Sequence, residues 1–293
     1  MRSSRDMRHV KASILLFSTA CITAVIGHKD GTDNTSAAQD CAAYLRRTMP
    51  QEDLKSLSEE YISQNIDLTL KARHSLPWAA DVPWQVFLQY VLPYAIVDER
   101  RDNWRPLFQE HFSPLISDAA AISEAALTLN REIWQFWNIT FKANQTPNIM
   151  SPFQVIDAGY ASCTGLSIFL VNALRAVGIP ARMAGTPQWN TEAGGNHDWV
   201  EIWDGGVWSF TGPTEYSDKG LNSTWFVPEP AKRAEEGSRM HAIYAVSWER
   251  RKGTVQYPLT WTENKTVAAH DVSRYYIAAS EQAKQNVAVA RAL

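Results

Sequence analysis

The run from Ser162 to Thr211 constrains the fold of this 293-residue chain more tightly than any other stretch. After Cys163, the apolar residues Leu166, Phe169, Leu170, Ala173, Leu174 and Val177 recur every three or four positions. That spacing lines one face of an α-helix and predicts burial of that face. Gly178 and Pro180 then supply a stop signal. Ser162 and Cys163 therefore stand at the head of the helix, with Ser162 as a candidate cap. The following run, His197-Asp198-Trp199-Val200-Glu201-Ile202-Trp203, alternates as a strand with His197, Trp199, Glu201 and Trp203 on one face. Asp204-Gly205-Gly206 reads as a hairpin turn and Val207 to Thr211 as the returning strand.

A cysteine at a helix N-terminus has a chemical use. Free N–H groups and the positive end of the helix dipole favour an anion there, and a thiolate attacks carbonyl carbon. A small buried cysteine filling core space is the competing interpretation. His197, preceded by the flexible Gly194-Gly195-Asn196, supplies a base that would accept the thiol proton, and this tips the balance toward a Cys-His pair.

The same residues resemble a known family. Cys163 followed by Ala173-Leu174-Arg175-Ala176-Val177-Gly178-Ile179-Pro180-Ala181-Arg182 is similar to the nucleophile helix and next strand of the transglutaminase-like superfamily. The strand from His197 to Trp203, with Gly206 and Trp208 after it, resembles that family's His-x-Trp-Val-Glu hairpin. The resemblance covers Ser162 to Glu215. It implies a Cys-His-Asp triad that attacks amides through a thioester, in members that crosslink glutamine, cleave peptides or remove glycans from asparagine. The expected acid falls just after the returning strand, where this chain reads Thr211-Gly212-Pro213-Thr214-Glu215, so glycine stands in the acid's place.

The third member must then be sought nearby. Asp198 follows His197 directly and faces the other side of the strand, a poor place from which to orient the imidazole. With a three-residue hairpin loop, His197 faces Pro213 and Glu215 is its diagonal neighbour; with two residues, Glu215 turns away. Glu215 is the proposed substitute. Trp137, Gln154 and Gln188 are candidate oxyanion donors, and Trp189 a candidate wall of an acyl-binding groove. His241 and His270 are read as structural.

The remaining composition narrows the class. A net charge of −3 gives no basic field for nucleic acid. Neither metal-ligand clusters nor phosphate-binding loops occur, so no cofactor or metal is expected. Arg2, Arg5, Arg8 and Lys11 precede an apolar run from Ile14 to Ile26, which reads as a signal peptide or signal anchor. Acceptors for glycosylation at Asn34, Asn138, Asn144, Asn222 and Asn264 agree with a secretory route. The expected protein is secreted or exported, membrane-attached only if the leader is retained. Beyond the leader only Cys41 and Cys163 remain, too few for a disulfide framework.

The expected fold class is α+β. Residues 1–30 form the leader and 31–40 a linker. A helical region at 41–146 leads into a transglutaminase-like or papain-like core at 147–230, with the nucleophile helix packed on an antiparallel sheet. Residues 231–293 supply C-terminal strands and a helix. The expected function is a thiol enzyme acting on amide bonds of a peptide or protein substrate through a Cys163 thioester, by hydrolysis or acyl transfer to an amine. The alternative is a catalytically impaired module with a binding role.

Overall fold

A computed structural model describes residues 34–259 and 267–292. The expected leader at 1–30 and Asn264 lie outside the described residues. The chain opens with helices α1 (Asn34–Thr48), α2 (Gln51–Ser56), α3 (Glu59–Ser75), α4 (Pro77–Ala80), α5 (Trp84–Tyr90), α6 (Arg105–Phe112) and α7 (Ile122–Glu132). The stretch expected as a linker at 31–40 is thus helical from Asn34 onward. Ser58 separates α2 from α3, its hydroxyl accepting from the Tyr61 N–H as the cap of α3. Prolines keep α4 and α5 short, Pro77 opening one and Pro83 preceding the other.

Two short parallel strands, β1 (Thr140–Phe141) and β2 (Tyr160–Ala161), flank α8 (Pro152–Ala158). Helix α8 forms because Ser151 and Gln154 make a capping box around Pro152 at the first helical position, and Gly159 closes it at φ +70°. Helix α9 (Cys163–Ala176) follows, then β3 (Ala181–Thr186), β4 (His197–Asp204) and β5 (Val207–Thr211). The chain ends with β6 (Tyr244–Ser247), β7 (Val255–Gln256), β8 (Ala268–Asp271) and α10 (Ser273–Ala292).

The last six strands make one antiparallel sheet in the order β5-β4-β3-β6-β8-β7. The C-terminal strands therefore complete the sheet of the core. Strands β6 and β7 do not pair with each other, because β8 lies between them. The architecture is α+β, as expected.

Alternation along β4 assigns the two faces of the sheet. Val200 and Ile202 pack with Leu166, Phe169 and Leu170 of α9 in one core, while Trp199 packs with Trp189, Phe210, Phe226 and Tyr276 in another. Helix α9 is buried along its whole length after Cys163, as its apolar spacing requires. Two arginines join its C-terminal end to the helical half. Fully buried Arg105 donates to the Arg175 carbonyl and to the carbonyls of Val91, Leu92 and Pro93. Arg175 in turn donates to the carbonyls of Ala95 and Ala181. Each guanidinium supplies several fixed donors, which satisfies carbonyls at helix and strand ends that would otherwise be buried without partners.

Candidate active site

Cys163 opens α9, with extended Ser162 before it. The Ser162 N–H donates to Gln145 Oε1 at 2.6 Å, and Gln145 Nε2 donates to the Asn148 carbonyl. Gln145, which the sequence did not single out, thus fixes the approach to the nucleophile helix. A Cβ at Gly165 would come within 2.8 Å of Gln145 Oε1 and within 2.7 Å of Ala161 Cβ, so glycine permits this close approach. Both Cys41 and Cys163 are free thiols.

The neighbours that bear on the Cys163 thiol are Thr164, next in the chain, and Asp198 of β4, whose N–H groups favour its charged form. The expected acidic thiol is not found. Burial, and then the Asp198 carboxylate, push the thiol up to about 12, and the hydrogen bonds to sulfur offset only part of this. Asp198 shares the face of β4 that packs on α9. It is fully buried, Oδ2 accepting from Thr164 Oγ1 at 2.6 Å and Oδ1 from the Tyr257 hydroxyl at 2.7 Å. Burial pushes its carboxyl up to about 6 against these two donors.

His197 turns to the opposite, aromatic face. Its ring lies 5.1 Å from Trp225, 5.5 Å from Phe226, 5.7 Å from Trp199 and 6.5 Å from Trp189. Burial among these rings pushes the imidazole down to about 4, and Nε2 is enclosed with no hydrogen-bond partner. Burial keeps both the Cys163 thiol and the imidazole neutral, and His197 turns away from the face of β4 that Asp198 presents to α9.

The hairpin closes with the two residues Gly205-Gly206, Asp204 pairing Val207 and Val200 pairing Thr211. The three-residue loop that placed Glu215 diagonal to His197 is therefore corrected. Glu215 nevertheless reaches this region, because β5 ends at Thr211 and the chain turns. The Glu215 N–H donates to the Gly212 carbonyl, and Thr214 takes φ +64°. Asn130 of α7 holds the turn, donating to Thr211 Oγ1 and the Gly212 carbonyl and accepting from the Thr214 N–H. Glu215 Oε1 accepts from the Trp225 indole at 3.1 Å, while Oε2 is buried without a partner. Burial raises the Glu215 carboxyl, and the Trp225 bond opposes that rise.

The other candidates are dispersed. Gln154 Oε1 caps α8 by accepting from the Ser151 N–H, which occupies it structurally. Trp137 packs among Phe108, Phe112, Phe136 and Phe169. Gln188 holds the loop before β4, donating from its backbone to the Met240 carbonyl. Its own carbonyl faces His241 Nδ1 at 3.1 Å. Trp189 does line the histidine side of the site, stacked on Trp199 at 5.8 Å with an interplanar angle of 7°. A cleft lined by Asp53, Asp98, Glu99 and Arg101 lies in the helical half and shares no residue with this site.

Residues 114–213 match the model of the transglutaminase-like superfamily. The matched segment, similar to the core of that superfamily, contains α9 and the hairpin that bear Cys163 and His197. A search of the curated proteins finds no match. Among solved structures, a candidate cysteine protease from Cytophaga hutchinsonii is 17% identical with a TM-score of 0.38. That likeness covers 67% of this chain and 65% of the other.

Proposed function

We propose that this chain is a thiol enzyme acting on amide bonds, with Cys163 as nucleophile, His197 as base and Glu215 as the acid that orients the imidazole. The observation that carries this reading is where the Glu215 carboxylate lies. A Cβ on Gly212 would run into Glu215 Oε2, so this carboxylate occupies the space where a side chain at 212 would begin. Position 212 is where the family pattern puts its aspartate. The acid is displaced by three residues along the chain and returned by the turn. Two buried polar atoms, His197 Nε2 and Glu215 Oε2, lack partners, and Trp225 touches both residues. Buried polar groups are normally paired. Pairing His197 Nε2, in the tautomer that donates, with Glu215 Oε2 would hold the ring as a triad acid does.

In this scheme His197 takes the thiol proton as sulfur attacks the carbonyl, then protonates the leaving amine. Water or a second amine resolves the thioester. Peptide hydrolysis is the favoured outcome, with secretion following from the N-terminal leader. The test uses a peptide carrying a thiol-reactive carbonyl group, with adducts located by mass spectrometry. We expect one adduct, on Cys163, lost in Cys163→Ala and strongly reduced in His197→Ala. Cys41 is an internal control, since burial encloses it completely. A folded chain that forms no Cys163 adduct would overturn the enzyme reading in favour of a binding module. Adding a primary amine to the reaction separates hydrolysis from acyl transfer.

A further inference from the structure

Asp198 is a fully buried carboxyl that the proposed triad does not use. Its surroundings are built around it. Thr164, the residue after the nucleophile, donates to one oxygen, and Tyr257 donates to the other from 59 residues away in the chain. Gly185 pairs with Asp198 across β3 and β4, and a Cβ at 185 would collide with Oδ1 and lie 2.7 Å from the Tyr257 hydroxyl. Three separate parts of the chain thus leave space and donors for one carboxyl. A buried carboxylate would otherwise carry a large desolvation cost. A valine or alanine at 198 would satisfy the apolar α9 face without any of this.

We infer that Asp198 is a positioning residue for the nucleophile: through Thr164 its carboxylate ties the first turn of α9 to β4, which places a negative charge within one residue of the Cys163 thiol, where it opposes ionisation. This rests on the reading of Cys163 as nucleophile. The titratable groups at this corner are Asp198 and His197 on β4 and Tyr257 beyond β7, with Glu215 reaching it through Trp225 beside His197. Tyr257 feels Asp198, Cys163 and Glu201, and with burial these keep its phenol neutral. Imidazole is neutral as well, because burial lowers it. Asp198 is therefore the group whose charge opposes ionisation of the thiol, in line with its place among the causes that raise Cys163.

The consequence is a nucleophile that ionises only as its proton leaves to a base, rather than a standing thiolate open to adventitious alkylation or oxidation. The experiment follows the rate of Cys163 alkylation by iodoacetamide against pH in the full chain. In the wild type, the thiolate fraction should rise less than tenfold per pH unit around pH 6, where Asp198 acquires its charge. Asp198→Asn keeps the shape and removes the charge. It should straighten that profile and speed Cys163 alkylation by about tenfold or more above that pH, the effect of a shift of one unit. Asp198→Ser, smaller and neutral, should act in the same direction if the amide disturbs folding.

A straight wild-type profile, or an unchanged or slower rate in either folded variant, overturns the inference. The two readings fail separately. If the amide-bond reading fails, the peptide probe leaves Cys163 unmodified while the bend near pH 6 persists. If this inference fails, the probe adduct forms and the bend is missing.

Discussion

Gly212 and Glu215 close a turn in which the Glu215 carboxylate folds back over the Gly212 Cα. A side chain at 212 and the carboxylate of 215 therefore compete for one place. Glu215→Ala should lower turnover by a factor on the order of a hundred or more, as loss of an orienting acid does, with little change in thermal stability. Gly212→Asp alone should be poorly tolerated, because the two acids clash. Combined as Gly212→Asp with Glu215→Ala, the acid returns to the family's position and part of the lost turnover should come back. Kinetics of the three variants on one peptide substrate decide it. If Glu215→Ala turns over at the wild-type rate, Glu215 is no part of the machinery.

Gly185 tests the packing on the other face of the same strand pair. Its φ is ordinary, so a substitution acts through space and not through backbone strain. Gly185→Ala puts a methyl into Asp198 Oδ1 and beside the carbonyl of His197. Overpacking of this kind costs about 1–3 kcal/mol. It should also displace the carboxyl from Tyr257. Denaturant unfolding reads the stability, and a loss below about 0.5 kcal/mol would show that the strands part easily here.

Cys163→Ala separates chemistry from packing in a different way. The side chain is partly exposed at the helix start and fills no deep cavity. Its loss should change unfolding free energy by no more than about 1–2 kcal/mol while removing all probe reactivity and all turnover. A variant that fails to fold would assign Cys163 to the core.

How much of this was legible in the sequence depends on whether the signal was local. Helix α9 announces itself through six apolar residues at helical spacing and the Gly178–Pro180 stop, and β4 through its alternation. The hairpin was legible too, but Asp204-Gly205-Gly206 permits two loop lengths, and the Asp204–Val207 pair selects the shorter one. Helix α8 was written in Ser151-Pro152-Phe153-Gln154, a capping box with proline at the first position, and was missed because the segment is short and weakly periodic. Strand β8 was missed because Ala268-Ala269-His270-Asp271 carries little β-propensity and is held by neighbours on both sides. Asp198 was dismissed because it faces away from His197. The same alternation puts it on the face that α9 covers, beside Val200 and Ile202, so its place at the first turn of α9 could have been read from the strand. Tyr257 could not, since nothing local ties it to residue 198. The place of the Glu215 carboxylate was likewise hidden, because the route to it runs through a turn held by Asn130, far earlier in the chain.

The pH dependence of stability follows from His197 and Asp198 acting in opposite directions. For His197, burial lowers the folded pKa from 6.5 to about 4. Between those values the unfolded chain binds a proton that the folded chain refuses, so stability is lost as pH falls through this window. At about 1.4 kcal/mol per unit the loss is on the order of 3 kcal/mol. For Asp198, burial raises the folded pKa from 3.8 to about 6. Here the folded chain holds a proton that the unfolded chain releases, so stability grows as pH falls from about 6 to 3.8. The windows overlap between about 4 and 6, and the two contributions nearly cancel there. Removing either group should expose the other. Asp198→Asn should lose on the order of 3 kcal/mol between about pH 6.5 and 4, relative to the wild-type profile. His197→Asn should move the other way over the same interval. Urea unfolding at a series of pH values measures both slopes. Variants whose profiles run parallel to the wild type would mean that neither group changes its protonation on folding.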